Sequence, residues 1–360
     1  MKKPFRPDFL PIKLTDREII EVLKIENEAR TKIERFNSIL ERSPIKRELL
    51  MLFTMNESVQ STRIEGTQAS FSDVIKAEAT GKKNKDTVEV LNYFEALKQV
   101  EVLLDQIPIS NRMFFKLHKT LLTDSRGRNR SPGEYRKVQN FVGPTNNIKD
   151  ATYIPPEPHL VYEYMHNLER YINDEYEDDF GTIARAGIIH GQFETIHPFL
   201  DGNGRIGRIL IMIYLLDKKV ISSPTFFVSE ELEKSKHKYY ALLNGLRLDK
   251  PQWKNWLIFF LDAYIKQADK YIEKLITVES LYNNLSEFAK SENIKKDAIL
   301  FIFRSPIFTI KRMQKELGVS YNTAKRYTSK LEKGGKIYSD DKKRNRNYMF
   351  YDLIGIFNRF

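Results

Sequence analysis

The chain has 360 residues, enough for two domains, with 59 Lys+Arg against 48 Asp+Glu, a net charge of +11. It contains no cysteine, which excludes disulfide frameworks, thiolate metal sites and cysteine nucleophiles. The basicity is uneven: residues 291–360 carry 16 basic and 7 acidic side chains, so the remaining chain is close to neutral. A polyanion partner is therefore expected for the C-terminal region alone.

The first residues, MKKPFRPDFLPIKLTDRE, are basic but lack an apolar run, and Pro4, Pro7 and Pro11 interrupt any such segment. No apolar stretch is long enough to cross a membrane, which predicts a soluble, cytoplasmic protein without a membrane partner. From Thr15 onward the apolar spacing is helical. REIIEVLKIENEARTKIERFNSIL and KRELLMLFTMNESVQSTRIEG predict two helices, the second stopping at Gly66. VEVLNYFEALKQVEVLLDQI and SNRMFFKLHKTLL predict two more, with Ser110 placed as an N-cap. The period then changes: KVQNFV and ATYI flank the turn-rich Gly143-Pro144-Thr145-Asn146-Asn147 and predict a β-hairpin. Helices resume at HLVYEYMHNLERYIND, and a long uninterrupted one over residues 252–290 is expected to bridge two domains.

Between the helical runs ARAGIIHGQFETI and ILIMIYLL lies HPFLDGNGRIGR, His197 to Arg208, with three glycines, two arginines, a histidine and a carboxylate. Glycines ahead of a helix let successive backbone N–H groups converge, and the helix N-terminus adds positive partial charge. DGNGR therefore reads as an anion cradle. Arg205 and Arg208 are three apart and can clamp further phosphate oxygens. Asp201 is a hard oxygen ligand suited to Mg2+ bridging phosphates, and His197 can take a proton from a hydroxyl. The set supplies the parts of a phosphoryl-type transfer.

HPFLDGNGRIGR resembles the HPFx[D/E]GNGRxxR signature of Fic-domain proteins at every defined position. The resemblance implies a mainly α fold: a helical Fic core with a β-hairpin flap, transferring AMP from ATP to a Ser, Thr or Tyr hydroxyl of a protein, itself included. It implies His197 as base, Asp201 as Mg2+ ligand, and Gly202, Asn203 and Gly204 in the phosphate nest. Arg205 would hold the β-phosphate and Arg208 the γ-phosphate, with Phe199 as a buried anchor. The hairpin takes the place of the Fic flap, which pairs with an extended target segment. KYYALLNGL resembles the segment lining the adenine pocket, which makes Tyr239 and Tyr240 the adenine candidates. STRIEG, Ser61 to Gly66, resembles the family's [S/T]xxxE[G/N] inhibitory motif. Ser61 and Glu65 share a helical face, and a carboxylate at a helix C-terminus calls for a compensating cation. Arg208 is the proposed cation; held by Glu65, it would be withdrawn from the γ-phosphate. Many Fic proteins with this arrangement are dimers, so a homodimer is among the expected partners.

At the C-terminus, IKRMQKELG, a turn at Gly318, and YNTAKRYTSKLEKGG capped by Ser320 read as a helix-turn-helix. KIYSD and NYMFY flank the basic tip DKKRNR as a hairpin would, and together they resemble a winged helix-turn-helix, a small α+β domain. Tyr321, Asn322, Thr323, Lys325 and Arg326 would face a duplex DNA groove, with Lys342, Lys343, Arg344 and Arg346 on phosphates. Winged helices also serve as protein-protein modules, and that alternative stays open.

The expected organisation is residues 1–110, an N-terminal helical region with the inhibitory helix; 111–275, the Fic core; and 276–360, the winged-helix domain. The leading expectation is a protein adenylyltransferase restrained by Glu65. The alternatives are a DNA-binding regulator using the Fic core as nucleotide sensor, and an enzyme of the same fold that removes AMP. Phosphorylation and phosphocholination by this fold are also open, and Asp201 argues against the kinase-like variant.

Overall fold

The computed structural model describes residues 3–123, 130–145, 147–340, 342 and 346–358. Sixteen α-helices and a three-stranded antiparallel sheet make up these residues, and one continuous apolar core runs through them.

Helix α1 (Asp16–Arg42) starts at a capping box in which Thr15 and Glu18 satisfy each other's orphan backbone donors. Its stripe of Val22, Ala29, Ile33, Phe36 and Leu40 is buried. The stripe packs against α12 (Trp253–Ser291), which runs unbroken for 39 residues across the expected domain boundary at 275. Helix α2 (Lys46–Ile64) is buried on nearly all sides, unlike a surface helix with one apolar stripe. It ends at Glu65, the C-cap, with Gly66 beyond it at φ +102°, where a side chain would be strained. Helix α3 (Phe71–Thr80) follows immediately, capped by Ser70 and Asp73.

Helices α4 (Lys85–Lys98), α5 (Val100–Gln106) and α6 (Asn111–Leu121) come next. Ser110 occupies the N-cap position of α6, but its side chain caps nothing. Its hydroxyl donates to Pro108 O at 3.0 Å, and the Asn111 N–H donates to Glu169 at 2.8 Å instead. The expected hairpin is reduced. Residues 137–142 and 151–154 form no ladder, only an isolated antiparallel bridge between Val142 and Tyr153. The segment's polar side chains bond to neighbouring backbone: Asn140 donates to Phe199 O at 2.9 Å and Gln139 to Pro155 O at 3.0 Å. Asn146 of the expected turn lies outside the described residues.

Helix α7 (Val161–Ile172) leads to the central pair α8 (Thr182–Ile196) and α9 (Asn203–Asp217), both almost wholly buried. Helices α10 (Ser229–Lys234) and α11 (Lys236–Gly245) close the core against α12. Beyond α12 the order is α13 (Lys296–Arg304), β1 (Ile307–Phe308), α14 (Ile310–Leu317), α15 (Tyr321–Lys333), β2 (Tyr338–Ser339), β3 (Tyr348–Met349) and α16 (Tyr351–Asn358). Strand β3 is central, pairing Ile307 with Met349 and Ser339 with Tyr348. Gly318 turns the chain at φ +62°, and Ser320 caps α15 by accepting from Thr323 N at 3.1 Å. Lys343 and Arg344 lie outside the described residues.

This C-terminal module is not a separate bead. Phe357 of α16 stacks on Phe71 at 5.0 Å and meets Phe53 of α2 edge-on at 5.9 Å. Arg304 of α13 donates to Glu48 in the first turn of α2 at 3.0 Å. No helix among the described residues is long and apolar enough to cross a membrane.

Candidate active site

The loop from His197 to Gly202 joins the two most buried helices, so its polar groups must be satisfied from within. His197 ends α8 in the left-handed conformation, φ +50° and ψ +60°, an uncommon backbone for a residue with a side chain. Gly202 is left-handed too, at φ +79°, and starts α9. Between them the chain reverses around Phe199, fully buried, whose N–H donates to Asn203 Oδ1 and whose carbonyl accepts from Asn203 Nδ2, both at 2.8 Å. The Asn203 side chain is thus committed to shaping the loop, and its contribution to an anion nest is through its backbone.

Three residues that sequence reasoning missed hold the loop from outside. His118 stacks on Phe199 with ring centroids 3.9 Å apart, accepts the Gly133 N–H on Nδ1 at 2.9 Å, and so carries its proton on Nε2, which donates to Asp201 O at 2.9 Å. Burial keeps it neutral, its pKa pushed down to about 4. Buried Arg136 donates from Nε to His197 O at 3.0 Å and from its backbone to Pro198 O at 2.9 Å. Asn140 adds the bond to Phe199 O already described. A basic or polar residue inside an apolar strand-like run was the available signal for Arg136 and Asn140; His118 sat unremarked on an amphipathic helix.

At the N-terminus of α9 the predicted groups come together. Gly204 lies where its absent Cβ matters: a methyl there would meet Glu65 Oε1 at 2.3 Å and Arg208 Nη1 at 2.9 Å. The cradle is therefore filled by the Glu65 carboxylate. Arg208, its side chain 1% exposed, donates from Nη2 to Glu65 Oε1 at 2.7 Å and to Ser61 O at 2.9 Å, and from Nε to Ser61 Oγ at 2.8 Å. Burial alone would raise the Glu65 pKa; the Arg208 guanidinium outweighs it and holds the carboxyl below its ordinary range. Arg205 Nη2 donates to Asp201 Oδ1 at 3.0 Å. Asp201 keeps 38% of its side chain exposed, beside the cradle.

His197 is neutral, pushed down to about 3 by burial and by Arg247, although its ring keeps 20% of its surface open. Burial pushes Glu57 and Glu194 up to about 7, against the pull of Arg208 on both. Glu57 accepts from Tyr93 at 3.1 Å and from Ser229. It lies two turns before Glu65, so Glu57, Ser61 and Glu65 form one stripe of α2.

The two tyrosines separate. Tyr239 is 1% exposed, its hydroxyl 2.8 Å from His190 Nε2 and its ring against Trp256, so it belongs to the core and offers no open face. Tyr240 is 38% exposed with its hydroxyl 3.4 Å from Ile64 O, at the end of α2. The groove-facing candidates on α15 lie far from this loop in sequence: Tyr321, Asn322, Lys325 and Arg326 are exposed and Thr323 is half-buried.

A carboxylate-filled cradle, a neutral histidine and two arginines around one helix start are the geometry against which relatives can be compared. Residues 108–215 match the Fic/DOC family, and residues 23–100 match the Fic/DOC family N-terminal region. The protein adenylyltransferase Fic of Drosophila melanogaster is 28% identical over 210 residues, 56% of this chain and 39% of that one. A probable protein adenylyltransferase of Aquifex aeolicus (strain VF5) is 28% identical over 184 residues, 49% of this chain and 52% of that one. The chain thus spans about two fifths to half the length of these curated relatives. A Fic family protein from Desulfovibrio desulfuricans G20 has the same fold over 96% of this chain and 98% of its own, with TM-score 0.59 and 19% identity. Fic-1 of C. elegans matches 72% of this chain and 74% of its own at TM-score 0.53 and 20% identity. Residues 108–215 are thus similar to the Fic/DOC family and residues 23–100 to that family's N-terminal region, and the fold over nearly the whole chain is that of a Fic family protein.

Proposed function

We propose that the protein is an adenylyltransferase that moves AMP from ATP to a hydroxyl of a protein target, and that Glu65 holds it in an inhibited state. The observation that carries the reading is the Glu65 carboxylate over Gly204, paired with Arg208 at 2.7 Å. An anion already sits where the helix start would take a phosphate, and it occupies the arginine proposed for the γ-phosphate. His197 is proposed as the base, and its neutral state suits that role. Gly202, Asn203 and Gly204 would supply backbone donors to the α- and β-phosphates, Arg205 a β-phosphate contact, and Tyr240 a face for adenine. Tyr239, buried, is withdrawn from the adenine contact.

Mg2+ fits Asp201. Among the described residues no cluster of three His, Asp or Glu could hold a metal by itself. One partly exposed carboxylate beside a phosphate cradle is the arrangement Mg2+ accepts when phosphates and water complete its shell. When bound, the ion would neutralise phosphate charge.

For the C-terminal module we propose a winged helix-turn-helix that binds duplex DNA. Support comes from the order helix, strand, helix, Gly318 turn, Ser320-capped helix and two strands, and from the exposed Lys325 and Arg326. Residues 1–110, 111–275 and 276–360 remain the proposed division, with α12 shared across the second boundary. A cytoplasmic setting and homodimerisation stay among the proposals.

The test is incubation with ATP labelled on the α-phosphate, with and without His197→Ala, read by intact mass. AMP addition by the unaltered chain and loss of about 10²- to 10⁴-fold in His197→Ala, with ATP still bound, are expected. Transfer of the γ-phosphate, or undiminished transfer by His197→Ala, would overturn the assignment.

A further inference from the structure

We propose that Glu194 is the positioning residue for His197, its carboxylate taking the Nδ1 hydrogen bond and so leaving the Nε2 lone pair for the target hydroxyl. This rests on the reading of His197 as base given above.

Glu194 lies in the last turn of α8, and His197, three positions on, is the left-handed C-cap that turns its ring back toward that turn. His197 Nδ1 lies 3.9 Å from Glu194 Oε2. Each residue has a buried polar atom without a hydrogen-bond partner among the described residues: Nδ1 of His197 and Oε1 of Glu194. Such orphans are costly and uncommon in folded proteins. The unpartnered Nδ1 looks toward Oε2 across 3.9 Å, Oε1 being turned toward Gly207 of α9, and a small ring rotation brings Nδ1 to the carboxylate. Hydrogen bonds of this kind are often long before substrate binds.

The backbone carbonyl of Glu194 also faces Nδ1, and it accepts from Arg247 Nη2 at 3.0 Å. Arg247 already engages that carbonyl, so the carboxylate is the stronger acceptor for the Nδ1 proton and the one that fixes the tautomer. Only the carboxylate answers the charge that develops in the reaction. As the target oxygen bonds to the α-phosphorus, the hydroxyl proton moves to Nε2. The bond to pyrophosphate breaks, and pyrophosphate leaves with its electron pair. The ring is then an imidazolium beside Glu194, and the proton later passes to solvent.

Glu194 is held in place, 5% exposed, against α9: a Cβ on Gly207 would meet its Oε1 at 2.6 Å. The charged and titratable groups facing it are Arg208 of α9, Arg247 beyond α11, Glu65 at the end of α2, Tyr239 and Tyr240 of α11, His190 of α8 and its C-cap His197. With burial placing Glu194 at about 7, protonation below that value turns the acceptor into a donor and favours the unproductive tautomer. Transfer should accordingly rise with pH through about 7.

Glu194 also compensates two arginines, and a purely electrostatic role must be separated from positioning. Glu194→Asp keeps the charge but withdraws it by one methylene; Glu194→Gln keeps the reach and loses the charge. The full chain labelled with ¹⁵N-histidine reports the His197 tautomer by NMR, with His197→Ala identifying its signals. In the unaltered protein Nδ1 should be protonated at mildly alkaline pH, and both variants should shift the ring toward the other tautomer. In a Glu65→Gly background kcat should fall about 10- to 100-fold in both variants, with the KM for ATP changed less than about threefold. The pH limb near 7 should vanish in Glu194→Gln. Unchanged tautomer and kcat in Glu194→Asp would leave only the counter-charge and overturn the proposal. If no variant or parent transfers AMP, the parent reading fails, and the tautomer measurement still decides this one.

Discussion

Arg208 and Glu65, 143 positions apart, meet at 2.7 Å, and the carboxylate that receives the guanidinium also covers Gly204 at the start of α9. Ser61 supplies two further acceptors to the same arginine. The end of α2 thus satisfies a buried cation from α9 with three contacts, and only one of them depends on Glu65. Loss of Glu65 leaves Arg208 tethered to Ser61 and free on the side facing the cradle.

The cradle itself can be filled from the other direction. Gly204→Ala places a methyl where the Glu65 carboxylate now lies. In a Glu65→Gly background, where the carboxylate is gone, that methyl should still obstruct an anion at the helix start. Overpacking of this kind costs about 1–3 kcal/mol, so calorimetry should find ATP bound about 5- to 150-fold more weakly. Equal affinity with and without the methyl would mean that the nucleotide does not approach Gly204.

His118 should make stability depend on pH. Its pKa is about 4 in the folded chain, against about 6.5 unfolded. Between those values the unfolded chain binds more protons, so the contribution is full above about 6.5 and is lost as pH falls toward 4. Glu57 and Glu194, raised to about 7, act oppositely: their share is full below the ordinary carboxyl range and is lost as pH rises through 7. The difference between the unaltered chain and His118→Gln isolates the histidine. That gap should widen by about 1.4 kcal/mol per pH unit between the two values. A gap independent of pH would mean that His118 does not fold as a neutral ring.

DNA binding is best measured on the whole chain, because Phe357 and Arg304 tie the C-terminal module to α2 and α3. Lys325→Ala with Arg326→Ala should weaken retardation of a duplex and lower the slope of log affinity against log salt by about two. Absence of retardation at low salt would favour a protein partner for α15.

Much of this architecture was legible because its signals are local. The onset of helical spacing at Thr15, the Ser320 cap, the Gly318 turn and the unbroken run over 252–290 fix their elements within a few positions. HPFLDGNGRIGR stood out because Asp201, Arg205 and Arg208 together are out of place between apolar helices. The hairpin misled: β-branched and aromatic residues suggested two strands, but Arg136, Gln139 and Asn140 are drawn to nearby backbone and only Val142 and Tyr153 pair. Tyr239 shows the same limit, since a tyrosine pair on a helix does not say which ring faces inward. The contacts of His118 and Arg136 with the loop join distant segments and leave no pattern in one sequence.

Removing the Glu65 carboxylate tests the account most directly. Glu65→Gly and the unaltered chain should be compared for AMP transfer at saturating ATP, by intact mass, with activity normalised to the folded fraction from a thermal melt. A charge-assisted contact of about 1.5–3 kcal/mol corresponds to roughly 10- to 150-fold, and a gain of that order is expected. Adding Arg208→Ala should cancel much of it, because the arginine is what the glutamate withholds. Equal specific activity of the folded unaltered chain and folded Glu65→Gly would contradict the inhibitory role and leave STRIEG as an ordinary helix end.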